Sequence, residues 1–364
     1  MKKLSLILGA LLAVGTVAQA KEQMIVAPPV VEEVEIVEPV APVVEEIVVQ
    51  DTFRPSGYVG LEYKAYGNTE GHGDKIKPIP LPQDEWHRGA NKYSRLQTTF
   101  GVQATENFRL EGRVRDYSDL EKNDNSRVNK KTGTETRLRG FYKHSDLLTS
   151  RVEYKDYTSN DELYAYQLRV TPYRNEGGIV DMFTIAPKYA YKKYKNGTDY
   201  RNTVGADIYL TGNLPLGFTW ENNIYLDYNM YNKDVLVKGI DNSGRLQKKD
   251  KEFVATWEFY LYNTVALYTA DSYKVDFNFE GGYDPYVLTQ YKGQNLVEGT
   301  LRKDKESYSL YTSMDISLTY NVTDYLTIKT GAGAEYRNWD IETRSRAKNW
   351  RWQPFAYAAM NVKF

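Results

Sequence analysis

The chain closes on Trp350-Arg351-Trp352-Gln353-Pro354-Phe355-Ala356-Tyr357-Ala358-Ala359-Met360-Asn361-Val362-Lys363-Phe364. Trp350, Trp352, Pro354, Ala356, Ala358, Met360, Val362 and Phe364 share one parity; Arg351, Gln353, Tyr357, Asn361 and Lys363 share the other. Side chains of a strand alternate between its two faces, so the segment reads as a strand with one apolar and one wet face. Its length is as informative as its period. Strands of soluble sandwiches run to about five or six residues, whereas a tilted strand crossing hydrocarbon needs about 9 to 11.

The same pattern recurs upstream. In 307–320, Tyr308, Leu310, Met314, Ile316, Leu318 and Tyr320 alternate with Ser307, Ser309, Ser313, Asp315, Ser317 and Thr319. Reading the alternation through predicts strands near 57–66, 93–104, 108–117, 134–143, 149–157, 162–172, 180–192, 200–211, 217–230, 251–262, 273–284, 306–320, 325–338 and 349–364. The expectation is an all-β fold, a transmembrane antiparallel up-and-down β-barrel of about 14 strands over 56–364. The alternation is poor in 134–143, and 263–272 is long for a turn, which leaves 12 or 16 strands open. Connectors 105–107, 144–148, 173–178, 212–216 and 321–324 are short and turn-forming; 67–92, 118–133, 231–250, 285–305 and 339–348 are long and polar. An even-stranded barrel puts both ends on the periplasmic side with the short turns, and the long loops outside.

The opening residues agree with export. Lys2 and Lys3, an apolar run over 4–14 and Ala18-Gln19-Ala20 form a signal-peptide pattern over 1–20. The segment 21–55 carries Lys21 and Arg54 against eight acidic residues (Glu22, Glu32, Glu33, Glu35, Glu38, Glu45, Glu46 and Asp51), with prolines at 28, 29, 39 and 42. Those prolines exclude a regular helix or central strand. An extended periplasmic spacer is the simplest reading, with contact to the cell wall or the pore mouth as the functional alternative.

Composition narrows the function classes. With no Cys, disulfides and thiolate chemistry are excluded. A mean hydropathy of −0.61 is compatible with a barrel, because lipid-facing and water-facing residues average out. The 32 Tyr and 6 Trp suit interfacial girdles. No basic patch with interleaved aromatics stands apart, so nucleic acid is not an expected partner. Outer-membrane lipid is.

The wet face is charged, and its signs are segregated along the chain. A basic wall is expected from Arg95, Arg109, Arg113, Arg115, Arg137, Arg139, Arg151, Lys155, Arg169 and Lys188, against Glu111, Glu135 and Glu153. An acidic wall is expected from Asp207, Glu221, Asp227, Glu252, Glu258, Asp276, Glu280 and Asp315, against Arg201 and Lys274. Sequential strands of a barrel are neighbours, so this order sets opposed charge across a pore, a transverse field that orients polar solutes. Cross-strand pairing, for example of Arg109 with Glu153, is the plainer alternative. Arg351 and Lys363 are expected to extend the basic wall toward Lys329 and Arg337.

An enzyme is not expected: His72 and His87 fall in the first loop and His144 in a turn, so no base is placed on a strand. No cofactor or metal site is called for. An adhesin or receptor acting through the outer loops is the competing class. If a loop narrows the pore, 67–92 is the candidate by length.

Arg95-Leu96-Gln97-Thr98, Ser150-Arg151-Val152-Glu153-Tyr154-Lys155, Glu280-Gly281-Gly282-Tyr283-Asp284, Glu335-Tyr336-Arg337-Asn338 and Trp350-Arg351-Trp352-Gln353-Pro354 together resemble the FomA-type major outer-membrane porins of fusobacteria over essentially the whole chain. The resemblance implies a voltage-responsive, non-specific porin, trimeric in the bacterial outer membrane, with about fourteen strands and a periplasmic N-terminal segment. The aromatic Phe364 resembles the signal read by the outer-membrane assembly machinery.

Overall fold

The computed structural model describes residues 53–70, 92–120, 132–240, 245–293, 306–338 and 350–364. The leader, most of 21–55 and the greater part of the 67–92 loop, with His72 and His87, lie outside them. Fourteen strands close on themselves: β1 (Ser56–Tyr66), β2 (Tyr93–Gln103), β3 (Phe108–Asp119), β4 (Gly133–Lys143), β5 (Leu148–Asp156), β6 (Glu162–Arg174), β7 (Met182–Lys193), β8 (Tyr200–Leu214), β9 (Phe218–Tyr231), β12 (Lys251–Thr269), β13 (Tyr273–Thr289), β15 (Glu306–Asn321), β16 (Leu326–Asn338) and β17 (Trp350–Lys363). Every pairing is antiparallel, and the last strand closes onto the first, Tyr58 opposite Lys363 through Tyr66 opposite Phe355. Closure matters because an unpaired backbone edge in hydrocarbon costs several kcal/mol per group. Among the described residues no helix is long and apolar enough to cross a membrane.

The poorly alternating 133–143 is a full member of the barrel, paired with β3 and β5. The predicted long connector at 263–272 is mostly strand. β12 continues to Thr269, and a register shift between Ala266 and Tyr268 interrupts the alternation there. A bulge adds a residue and re-phases the faces, which hides a strand from a parity reading. β13 likewise runs on to Thr289, with Pro285 in a register shift between Tyr283 and Tyr286, where its missing N–H breaks no ladder bond.

Pro354 sits inside β17, and its carbonyl accepts from Gly67 N at 2.8 Å. The Gly67 carbonyl, deprived of a proline donor, accepts instead from Lys92 N and Gln353 Nε2, both at 3.2 Å. Two of the tight turns use one device. Thr105 Oγ1 accepts from Phe108 N at 3.0 Å, and Thr323 Oγ1 accepts from Leu326 N at 3.0 Å. A hydroxyl that satisfies turn amides fixes the turn without strand pairing.

The outer face is apolar: Leu61, Leu96, Val152, Tyr166, Val204, Ile316, Ile328 and Met360 are all exposed. At the short-turn rim Phe108, Tyr142, Tyr173, Tyr273, Tyr320 and Phe364 are exposed aromatics. At the other rim Tyr336 packs against Trp350 at 5.1 Å and Trp352 at 4.6 Å. Beyond that rim lies a feature the alternation did not reveal, a three-stranded sheet of β10 (Leu236–Ile240), β11 (Leu246–Lys249) and β14 (Lys292–Gly293) built from two long connectors.

Candidate functional site

Strand register places the charged residues. Arg95 lies opposite Lys64 and next along to Tyr117, Gln97 opposite Arg115, Arg113 opposite Arg137, and Arg139 opposite Glu153. Directly opposite residues share a face, so these side chains share the face turned away from the exposed apolar residues. The same chain of pairings carries through Asp207 opposite Tyr225, Glu221 opposite Tyr260, Asp276 opposite Ser317 and Asp315 opposite Gly333. All eighteen basic-wall and acidic-wall residues read from the sequence fall on this inner face.

On the basic side a few carboxylates are shared. Glu135 receives Arg113 at 2.7 Å, Lys155 at 3.8 Å and Arg115 at 3.9 Å. Glu153 receives Arg139 at 2.7 Å and Arg151 at 3.7 Å. Arg109 does not reach Glu153 as the cross-strand alternative had it. It pairs with Glu111 on its own strand at 3.1 Å and lies over the Phe141 ring, because Glu153 is already taken by nearer guanidiniums. Arg95 pairs with Glu62 at 2.5 Å. Arg137 and Arg169 have no carboxylate within ion-pair distance among the described residues. Positive charge is therefore left over.

On the acidic side the partners are mostly hydroxyls. Tyr209 donates to Asp207 at 2.9 Å, Tyr225 to Glu258 at 2.9 Å, Tyr231 to Glu252 at 3.1 Å, Tyr260 to Asp284 at 3.0 Å and Tyr357 to Asp315 at 2.9 Å. Tyr311 donates to Glu280 in the same way. Glu221 accepts from Asn223 at 2.6 Å, and Asp276 takes Lys274 at 2.8 Å. The sequence reading assigned the tyrosines as a class to girdles and only Tyr357 to the wet face. All six of these donors sit on the inner face, and the available signal was their parity, shared with the charged residues of the same strands.

Two seams join the arcs. At one, Lys188 lies 2.6 Å from Asp207 and 2.7 Å from Asp227, while buried Gln167 donates to Asp207 at 2.7 Å and accepts from Arg169 at 3.3 Å. At the other, Arg337 is held by Glu335 and lies 3.9 Å from Asp284. Arg337 thus belongs to a mixed network and not to an extended basic wall, since two carboxylates face it. Lys329 lies 6.0 Å from the Tyr357 ring centroid.

His144 is not isolated in its turn. Its Nε2 lies 2.7 Å from Ser150 Oγ, which is 3.0 Å from Tyr166 Oη. Among the described residues no carboxylate is hydrogen-bonded to this ring, so the third group that orients a catalytic base is not part of the cluster. No group of three or more His, Cys, Asp or Glu placed to hold a metal occurs among the described residues. Phe364 completes the closure, exchanging backbone bonds with Gly57 at 2.8 and 3.0 Å while its ring stays exposed.

No family model matches the chain, and no curated protein matches it. Among solved structures it is similar to a bacterial polysaccharide outer membrane secretin, at 11% identity over 85% of this chain and 98% of that one, with a TM-score of 0.40. It is also similar to Pseudomonas putida OprB, at 9% identity over 85% and 93%, with a TM-score of 0.31. The translocator domain of the autotransporter NalP from Neisseria meningitidis gives 10% identity over 86% and 90%, with a TM-score of 0.34. Such likenesses carry neither substrate nor selectivity across. The class is defined by the molecule itself: a closed fourteen-stranded antiparallel barrel with an apolar outer face and a charged inner one.

Proposed function

We propose that this chain is a general diffusion porin of the bacterial outer membrane, passing ions and small hydrophilic solutes. The observation that carries the reading is the charged inner face of a fourteen-stranded barrel. Small barrels of eight strands fill themselves with packing side chains, whereas larger ones leave an aqueous lumen. Here Arg, Lys, Asp, Glu and Tyr stand where a filled barrel would need apolar side chains.

The basic wall and the acidic wall act as opposed plates that favour polar solutes over apolar ones. In this reading the leader is cleaved after Ala20, 21–55 stays in the periplasm, Phe364 serves assembly, and the barrel assembles as a FomA-type homotrimer. The test is reconstitution of the mature chain into liposomes and planar bilayers. Swelling rates that fall smoothly with the size of uncharged sugars, together with weak ion selectivity, are expected. Liposomes that stay impermeable to every sugar and ion would exclude the porin and leave the adhesin class.

A further inference from the structure

The seam at Lys188 borders a recess of about 500 Å³ in the inner wall, lined by β4 to β9. That volume is within the range of about 300 to 1,000 Å³ typical of small-molecule sites. Its two sides differ in charge. On one stand Arg139, Arg151 and Arg169, with Glu153 as the carboxylate beside them. On the other stands Glu221, whose bonded partner is the neutral amide of Asn223; among the described residues no cation lies within ion-pair distance of it. The carboxylates between the two sides, Asp207 and Asp227, are occupied by Lys188.

The unneutralised cation is held in place. Arg169 lies over the Tyr209 ring at 4.5 Å and donates to Gln167 at 3.3 Å, while Gln167, 1% exposed, is anchored on Asp207. Stacking, a hydrogen bond to Tyr209 and a buried amide fix the guanidinium plane without neutralising it, and a fixed, uncompensated guanidinium is what carboxylate recognition needs. Arg151 adds to this side, with its buried Nε unpartnered and its guanidinium sharing Glu153 with Arg139.

We propose that this recess is a binding subsite for small zwitterions, of the α-amino acid or short-peptide class, on the route through the pore. The solute carboxylate docks on Arg169 and Arg151, and its ammonium group on Glu221. A simple anion would be repelled by Glu221, and a simple cation by the four guanidiniums of the lining, Arg139, Arg151, Arg169 and Arg201. Only a solute carrying both charges satisfies both sides. The proposal rests on the porin reading above.

The experiment is single-channel recording of the full mature chain with dialanine, N-acetylalanine and the uncharged N-acetylalanine N-methylamide as probes. Dialanine is expected to reduce the open-channel current with a saturating concentration dependence, and the uncharged amide without saturation. Arg169→Gln and Glu221→Gln should each raise the half-blocking concentration of dialanine by about tenfold, the loss of one charge-assisted contact. Non-saturating dialanine block in the unaltered channel, N-acetylalanine blocking as well as dialanine, or block that survives both substitutions would overturn the subsite while leaving the porin intact. Absence of any ion current would overturn the porin reading, and the subsite with it. The comparison of probes on the unaltered channel stands even if a variant does not fold.

Discussion

The arc from β3 to β5 and the arc from β9 to β15 hold their charges by opposite means. In the first, guanidiniums and ammonium groups crowd around Glu135 and Glu153, which serve as shared anchors. In the second, carboxylates accept from Tyr225, Tyr260, Tyr311 and Tyr357. A phenol donates one hydrogen bond and brings no charge, so it fixes a carboxylate without neutralising it. Guanidiniums have no acceptor and cannot bond to one another; they need an anion or a carbonyl between them. The basic arc therefore depends on a few residues, while the acidic arc spreads its support widely.

That contrast predicts a ranking of effects. Reversing Arg109, Arg113 and Arg115 together to Glu should have the largest consequence, moving the zero-current potential in a KCl gradient several-fold toward cation selectivity; an unmoved potential would remove these residues from the pore wall. Glu135→Gln takes the shared anchor from three cations and should cost about 3 kcal/mol of unfolding free energy, read by urea titration of the detergent-folded barrel. Gln167→Leu breaks the seam between the arcs and leaves Asp207 and Arg169 each one partner short, at about 2 kcal/mol in the same titration. Tyr225→Phe should cost least, about 1 kcal/mol, because Glu258 faces an arc with many donors. If Tyr225→Phe proved as costly as Glu135→Gln, the distinction between concentrated and distributed support would fail.

The approximate strand count and the inner parity were legible because alternation is a local property that survives without knowledge of neighbours. Val152 and Arg151 declare opposite faces from their positions alone. The places where legibility failed are those where a bulge re-phased the faces, at Ala266/Tyr268 and Tyr283/Tyr286, and in the loops, where β10 pairs with the distant β14. The zone of the site was likewise legible, and its wiring was not. Parity puts Arg109 and Glu153 on one face, but only strand stagger and side-chain reach decide that Arg109 takes Glu111 while Glu153 goes to Arg139 and Arg151.

What the sequence determined alone is thus the barrel, a count of about fourteen crossings with 12 or 16 left open, and the order of charge along the chain, since period and order are one-dimensional quantities. Tertiary structure decided which charges are neutralised and which are left over. Arg169 stays unneutralised because Gln167 and Tyr209 occupy the space beside it, and Glu221 because its neighbour across the ladder is Tyr260 rather than a cation. Pairing energy depends on distances of a few ångströms between residues far apart in the chain, and closure of the barrel sets those distances.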